Sequence, residues 1–115
     1  MPSTDKSKPK YFVIKLPKVL DNSSADAMEM AVKDASLANG QYMLLDMTET
    51  NFISSAGIRF LIIATEKFHK IGGHVLLAGL SKNVQYTLKI CGLSKRFAVY
   101  ASTEDAIASL GNSND

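Results

Sequence analysis

The chain of 115 residues contains a single cysteine, Cys91, and no apolar stretch near the length of a membrane span. One cysteine cannot form an intramolecular disulfide or a cysteine-based metal cage. A membrane span requires about 20 consecutive apolar residues, and the polar N-terminus lacks the apolar stretch of a secretory signal. These absences predict a cytoplasmic protein without a membrane span, kept in a reducing compartment.

The sequence also has little of the chemistry that catalysis requires. The side chains that titrate near neutral pH are His69, His74 and Cys91, and their spacing forms no nucleophile–base pair. The Gly72-Gly73 pair is not followed by Lys-Ser or Lys-Thr, so it indicates a turn and not a phosphate-binding loop. Cys91 occupies an apolar helical position and is predicted to fill the core. We therefore expect no enzymatic activity, no cofactor and no metal site.

Charges of the two signs are nearly balanced, with 13 Lys and Arg against 11 Asp and Glu. Lysines cluster between Lys6 and Lys18, but a solvated basic tail is expected there and not a nucleic-acid-binding arm. Residues 1–9, rich in Ser, Thr, Lys and Pro, are predicted to form a disordered leader. The length suits a single domain over residues 10–111, followed by a frayed tail over residues 112–115.

Strand and helix patterns alternate along the domain. Apolar runs without a helical period predict strands over residues 11–16, 41–47, 74–78 and 97–100, with a short addition at 19–20. Capping residues predict helices that begin near Ser23, Ser54 and Ser102, and the helical spacing of Val84, Leu88 and Cys91 predicts one more, which ends before Gly92. Residues 48–54 are predicted as a loop. Strands joined by helices through short loops indicate right-handed crossovers. The predicted fold is α/β, a mainly parallel central sheet of four to five strands flanked by about four helices.

The candidate functional segment is Phe52-Ile53-Ser54-Ser55-Ala56-Gly57, which leads into the second helix. Unpaired N–H groups and the positive end of the helix dipole favour an anion there, and Ala56 and Gly57 let the backbone approach closely. Alternatively, Ser54 or Ser55 could be the N-cap of the helix and have no further role. A phosphorylated hydroxyl at the same place would bring a charge of about −1.5 to −2 into that favourable field. The two roles are compatible.

Asp46 ends a predicted buried strand where the connection to this segment departs. We expect its carboxylate to accept hydrogen bonds from backbone N–H groups of the connection, although a purely structural carboxylate is the alternative. Asp46 and residues 54–57 together form the predicted switch loop.

The second predicted helix carries an apolar side chain on its polar face. Its core stripe is predicted to consist of Ile58, Leu61, Ile62, Thr65 and Phe68. Ile63 lies opposite this stripe, near Arg59, and Phe60 is predicted to flank the polar face. A lone exposed isoleucine is ordinary, whereas one beside an exposed aromatic indicates a partner-binding patch of Arg59, Phe60 and Ile63. The sequence leaves both interpretations open.

Three stretches resemble the STAS domains typified by bacterial anti-sigma-factor antagonists. They are Leu44-Leu45-Asp46-Met47 with the segment from Phe52 to Arg59, Gly72-Gly73 with its following strand, and Val84-x-x-x-Leu88-x-x-x-Gly92-Leu93-x-x-x-Phe97. They occur in the family's order, from about Tyr11 to Leu110. The resemblance implies a sheet flanked by helices and a serine at the start of the second helix that is phosphorylated by a partner kinase.

The resemblance also implies a mode of action. The unphosphorylated domain binds a serine kinase that is an anti-sigma factor, and a sigma factor or another regulator is thereby released. Phosphorylation abolishes this binding, and a serine phosphatase restores it. The protein would then be a substrate and a ligand, with no catalytic residues of its own.

One departure from the family pattern concerns the phosphoacceptor. Many members read Asp-Ser-Ser-Gly, with the acceptor directly before the glycine, whereas this chain has Ser54-Ser55-Ala56-Gly57. In the related Ser-Ser-Ala-Gly form the serine two places before the glycine is the acceptor, which implies Ser55 here, with Ser54 as the second candidate. The departure also leaves open a constitutive STAS scaffold or assembly module that phosphorylation does not switch.

Overall fold

The computed structural model describes residues 10–37 and 41–112. The predicted leader, residues 1–9, and residues 113–115 of the predicted tail lie outside this range. In chain order the elements are β1 (Tyr11–Lys15), β2 (Val19–Leu20), α1 (Asn22–Leu37), β3 (Tyr42–Asp46), β4 (Phe52–Ile53), α2 (Ser55–Lys70), β5 (His74–Ala78), α3 (Lys82–Ile90), β6 (Ala98–Tyr100) and α4 (Thr103–Asn112).

Four of the strands form one parallel sheet in the order β1-β3-β5-β6. The first three strands start level, because Tyr11 is opposite Tyr42 and Tyr42 is opposite His74. β6 pairs only with the last three residues of β5, where Leu76 is opposite Ala98. The predicted α/β fold, with a parallel sheet and four helices, is confirmed over the described residues.

The helices cover the two faces of this sheet unequally. α1, α2 and α3 contribute to one core with the side chains of β3 and β5 that point towards them, including Met43, Leu45 and Leu77. α4 covers the opposite face, where a smaller cluster contains Leu44 and Leu76. Because both central strands are buried on both faces, their sequences are continuously apolar and show no alternation.

The two short strands β2 and β4 form a second sheet. β2 and β4 pair in parallel, with Val19 opposite Phe52 and Leu20 opposite Ile53. Leu20 and Ile53 are buried, while Val19 and Phe52 face outwards. The sequence predicted a loop at residues 52–53, because two residues are too few to show a strand period. β4 ends at Ile53, so this small sheet lies immediately before the start of α2 at Ser55.

Two local predictions are wrong. α1 does not begin at a Ser23 cap. Asp21 caps it, because the Ser24 N–H donates to Asp21 Oδ1 at 3.3 Å and the Asp21 N–H donates to Ser24 Oγ at 2.9 Å, a reciprocal capping box. Cys91 does not fill the core. α3 ends at Ile90, so Cys91 caps its C-terminus and its side chain is exposed.

Candidate functional site

Ser54 is held in place at the start of α2 by bonds on both sides. Its hydroxyl oxygen accepts a hydrogen bond from the Gly57 N–H at 3.2 Å, and its extended backbone makes it the N-cap. Its own N–H donates to the Leu20 carbonyl of the small sheet at 2.9 Å, and its carbonyl accepts from the Ile58 N–H at 2.9 Å. Ser54 therefore performs the capping role that the sequence left open between two serines.

Ser55 is the first residue of α2 and is exposed. Its hydroxyl has no hydrogen-bond partner among the described residues. No acidic side chain lies in the first turn of the helix, and Arg59 follows one turn later on the same side. Arg59 is exposed and has no ion-pair partner in the described part of the chain. The surroundings of Ser55 are therefore favourable to negative charge.

Gly57 brings the first turn of α2 against the small sheet. A Cβ atom at this position would overlap the Leu20 carbonyl oxygen and would lie 2.7 Å from Ile53 Cγ1. Such contacts leave no room for any side chain larger than hydrogen, so the glycine is required by close approach of two backbones. The buried Gly57 thus fixes the positions of Ser54 and Ser55 relative to β2 and β4.

Asp46 shapes the beginning of the connection between β3 and β4. Its Oδ1 accepts hydrogen bonds from the Thr48 N–H at 3.0 Å and from the Thr48 hydroxyl at 2.8 Å. In the described structure no hydrogen bond joins Asp46 to residues 54–57. Farther along, the buried Thr50 donates its hydroxyl to the Pro17 carbonyl at 2.8 Å. The connection is thus held at both ends by side chains that satisfy backbone groups.

One ion pair crosses from this connection to β1. Lys15 Nζ lies 2.9 Å from Glu49 Oε2, and both side chains are exposed. The hydrogen bond and the charge of Glu49 raise the pKa of Lys15 above its ordinary value. Because water screens the pair, it contributes little to stability.

The predicted partner patch needs a correction at Phe60. Arg59 is exposed and Ile63 is half-buried, but Phe60 is only 2% exposed and belongs to the core. α1 packs beside α2, and a narrow crevice between these helices is lined by Val32 of α1 and by Phe60 and the half-buried Ile63 of α2. The buried side of α2 is therefore rotated relative to the predicted stripe, and Ile58, Ile62 and Thr65 are only partly covered. Phe60 is not available to a partner protein.

An exposed apolar pair that the sequence did not reveal lies directly before Ser55. Val19 is 43% exposed and Phe52 is 57% exposed, and they are neighbours across the small sheet. The alternation of outward Val19 and Phe52 with buried Leu20 and Ile53 is the signal for this arrangement, but it extends over two residues in each strand. Two side chains of this size beside the start of α2 provide an apolar contact area next to the serine.

Outside this region, the described titratable side chains form an aromatic contact and no metal-binding cluster. His74 stacks on Tyr42 with ring centroids 5.4 Å apart. Over residues 10–37 and 41–112 there is no group of three or more His, Cys, Asp or Glu side chains able to hold a metal ion. Within the same residues, no helix is both long and apolar enough to cross a membrane.

Comparison with known proteins gives a consistent family. The STAS domain profile matches residues 3–106. BtrV of Bordetella bronchiseptica, whose name describes an anti-sigma factor antagonist, is 26% identical over 90 residues, which is 78% of either chain.

Solved structures have the same fold. The anti-sigma factor antagonist SpoIIAA in its unphosphorylated form is 18% identical, with 89% of both chains covered and a TM-score of 0.77. The phosphorylated Bacillus SpoIIAA is 18% identical, with 87% of this chain and 90% of that chain covered and a TM-score of 0.69. The STAS domain of a Vibrio cholerae SulP transporter is 24% identical, with coverage of 87% and 80% and a TM-score of 0.72. At these identities the structures establish the fold alone.

Proposed function

The chain belongs to the STAS domain family, and on that premise we propose that it is an anti-sigma factor antagonist whose binding is switched by phosphorylation of Ser55. In this proposal the protein is not an enzyme. Its partner is an anti-sigma factor with serine kinase activity, and a serine phosphatase acts on the phosphorylated form. These exchanges take place in the cytoplasm.

The division of roles between the two serines is the observation that carries the proposal. The Ser54 hydroxyl is engaged in the helix cap, whereas the Ser55 hydroxyl is exposed and has no hydrogen-bond partner among the described residues. A kinase could modify the Ser55 hydroxyl without disturbing any described hydrogen bond, whereas the Ser54 hydroxyl oxygen already accepts from the Gly57 N–H. The geometry therefore supports Ser55 over Ser54 as the phosphoacceptor.

The surface around Ser55 has the composition of a protein-binding site. We name the set Val19, Phe52, Ser55, Arg59 and Ile63 the switch surface. Ser55, Arg59 and Ile63 follow one another at four-residue spacing along α2, so they lie on one side of the helix. The exposed Val19–Phe52 pair adds apolar area on the small sheet, whose strand β4 directly precedes the cap of α2. In the unmodified protein the partner packs on this surface around a neutral hydroxyl.

A phosphate on Ser55 would change the surface without refolding the domain. The N–H groups of the first turn and the helix dipole stabilise a dianion at this position. Arg59, one turn away, is positioned to pair with the phosphate oxygens. The partner would then face an added dianion with tightly bound water in place of a hydroxyl. A loss of about 3 kcal/mol of binding free energy would weaken the complex more than about a hundredfold.

The test uses wild type, Ser54→Ala and Ser55→Ala incubated with the partner kinase and ATP. Mass spectrometry is expected to find phosphate on wild type and Ser54→Ala but not on Ser55→Ala. Calorimetry is expected to detect kinase binding by unmodified wild type and none by protein stoichiometrically phosphorylated on Ser55. Undiminished phosphorylation of Ser55→Ala would contradict the proposal. Equal kinase affinity of the phosphorylated and unphosphorylated protein would favour the constitutive scaffold instead.

The switch surface has its own test with a matched control. Phe52→Asp and Ile63→Asp are expected to weaken the kinase complex at least about tenfold while the domain stays folded. Met30→Asp, on α1 and 66% exposed, introduces the same charge away from the switch surface and is expected to leave binding unchanged. Equal effects of all three variants would mean that charge alone, and not this surface, determines binding.

A further inference from the structure

The outward face of α3 combines aromatic, aliphatic and basic side chains. Val84 and Leu88 face the core, whereas Tyr86 and Ile90 are each 65% exposed. Tyr86 and Ile90 are four residues apart, so they lie next to each other on the solvent side of the helix. An exposed aromatic side chain beside an exposed aliphatic one offers a contact area for a partner.

A groove runs between this face and the edge of the sheet. It has a volume of about 450 Å³, and its apolar lining includes Leu80, Tyr86 and Val99. Val99 belongs to β6, which has a strand neighbour on one side only within the described sheet. Lys82 and Lys89 also line the groove, and neither has an ion-pair partner in the described part of the chain. We name this cavity the α3 groove.

Although the chain as a whole has nearly equal numbers of acidic and basic residues, one long segment of it contains basic residues and no acidic ones. No Asp or Glu occurs between Glu66 and Glu104, a segment that contains all of α3, β5 and β6. The same segment contains the basic residues Lys67, Lys70, Lys82, Lys89, Lys95 and Arg96. None of the described residues that line the α3 groove is acidic. The lining of the groove therefore carries two positive side chains, Lys82 and Lys89, and no negative one among the described lining residues.

We propose that the α3 groove is a docking site for an acidic, amphipathic segment of a partner protein. An apolar side chain of that segment enters the groove beside Tyr86, and flanking carboxylates face Lys82 and Lys89. A tyrosine in a surface patch is suited to contribute affinity. Lysines around it are suited to attract an acidic partner electrostatically. The docking site lies on a different helix from the switch surface and does not depend on the state of Ser55.

The shape and charge of the groove favour a protein segment over a lipid surface. A concave groove accepts a protruding side chain, whereas a membrane requires an apolar surface that protrudes into the bilayer. Recognition of anionic lipid takes clusters of about four to eight basic residues, and the groove presents Lys82 and Lys89.

The experiment titrates isotopically labelled, unphosphorylated full-length chain with synthetic peptides, in the absence of any kinase. The probe is a peptide of alternating glutamates and leucines, and the controls replace glutamate by lysine or leucine by serine. Amide shifts are expected at Tyr86, Lys89 and Val99 with the probe and not with either control. Affinity for the probe should fall as salt is raised, because exposed charges are screened.

Matched variants separate docking from general charge effects. Tyr86→Ser and Lys82→Glu/Lys89→Glu are each expected to weaken peptide binding at least about tenfold with unchanged thermal stability, because these side chains are exposed. Lys33→Glu, an exposed lysine on α1, is the control and should bind as wild type does.

Three results would overturn the proposal. The first is the absence of shifts on α3 at peptide concentrations of about 1 mM. The second is binding to vesicles containing anionic phosphatidylglycerol with no binding of the peptide. The third is concentration-dependent self-association of the unlabelled chain that Tyr86→Ser abolishes, because the occupant would then be a second copy.

Discussion

The two adjacent hydroxyls at the start of α2 should affect different properties when each is removed separately. Removal of the Ser54 hydroxyl should lower stability, whereas removal of the Ser55 hydroxyl should prevent phosphorylation. Ser54→Ala deletes the oxygen that accepts from the Gly57 N–H. Loss of a serine N-cap costs about 0.5–2 kcal/mol, and the donor–acceptor distance of 3.2 Å is at the long end of the usual range. We therefore expect a loss of about 1 kcal/mol, which lowers the melting temperature of a domain of this size by about 4 °C.

Ser55→Ala should change the free energy of unfolding by less than about 0.5 kcal/mol, because an exposed side chain without a described partner is removed and alanine favours helix. Ser54→Asp supplies the control, since aspartate caps as well as serine and its charge suits the helix N-terminus. Urea denaturation followed by circular dichroism measures all three variants. Equal destabilisation by Ser54→Ala and Ser55→Ala, or by Ser54→Ala and Ser54→Asp, would refute this assignment of the cap.

Further predictions concern the core, the small sheet and acid stability. Phe60→Ala should cost about 3–5 kcal/mol in denaturant titrations, because the ring is buried and not part of a binding face; a change below about 0.5 kcal/mol would show that it is exposed after all. Gly57→Ala should destabilise by at least about 1–3 kcal/mol in the same assay, because its Cβ would overlap the Leu20 carbonyl. Hydrogen bonds from the Ser24 N–H and the Ser23 hydroxyl hold the pKa of Asp21 below its ordinary value of 3.8. Its stabilisation is therefore present above that value and lost as pH falls through the folded-state pKa. The stability difference between wild type and Asp21→Ala should thus shrink as urea titrations are repeated from neutral pH to below that pKa, and a difference independent of pH would contradict it.

The parts of the fold that the sequence predicts well are those in which one pattern is long enough to dominate. β5 has its predicted bounds, His74–Ala78, because a buried parallel strand is continuously apolar. α2 is long and carries a serine cap and a glycine stop, so its limits are also close to those predicted. β4 could not be predicted, because its two residues become a strand only by pairing with Val19 and Leu20 at a distance in the sequence.

The errors at Phe60 and Cys91 have different physical causes. The burial of Phe60 results from the packing of α1 against α2, which rotates the buried side of the helix away from the stripe that periodicity indicates. Cys91 fits the apolar period of α3, but the helix ends one residue earlier and leaves it exposed. The hydrophobic periodicity predicts that a helix forms, whereas the packing of neighbouring helices and the helix end determine which side chains remain exposed.

The sequence predicts the candidate site and, through the family resemblance, Ser55 as the phosphoacceptor, but it does not decide which serine caps the helix. Either serine could act as the cap, since both precede the glycine at short spacing. Only the side-chain geometry distinguishes the engaged Ser54 from the exposed Ser55. Likewise, Phe52 belongs to the recognised motif, but its exposure next to Val19 depends on the register of the small sheet.

Phosphopeptide mass spectrometry of the protein isolated from its own cells tests the central claim most directly. Samples taken during growth and after stress would be digested and the peptide containing Ser54 and Ser55 fragmented to place the phosphate. The proposed switch predicts phosphate on Ser55, with an occupancy that changes between conditions. Phosphate confined to Ser54, or an unmodified peptide under every condition, would contradict it.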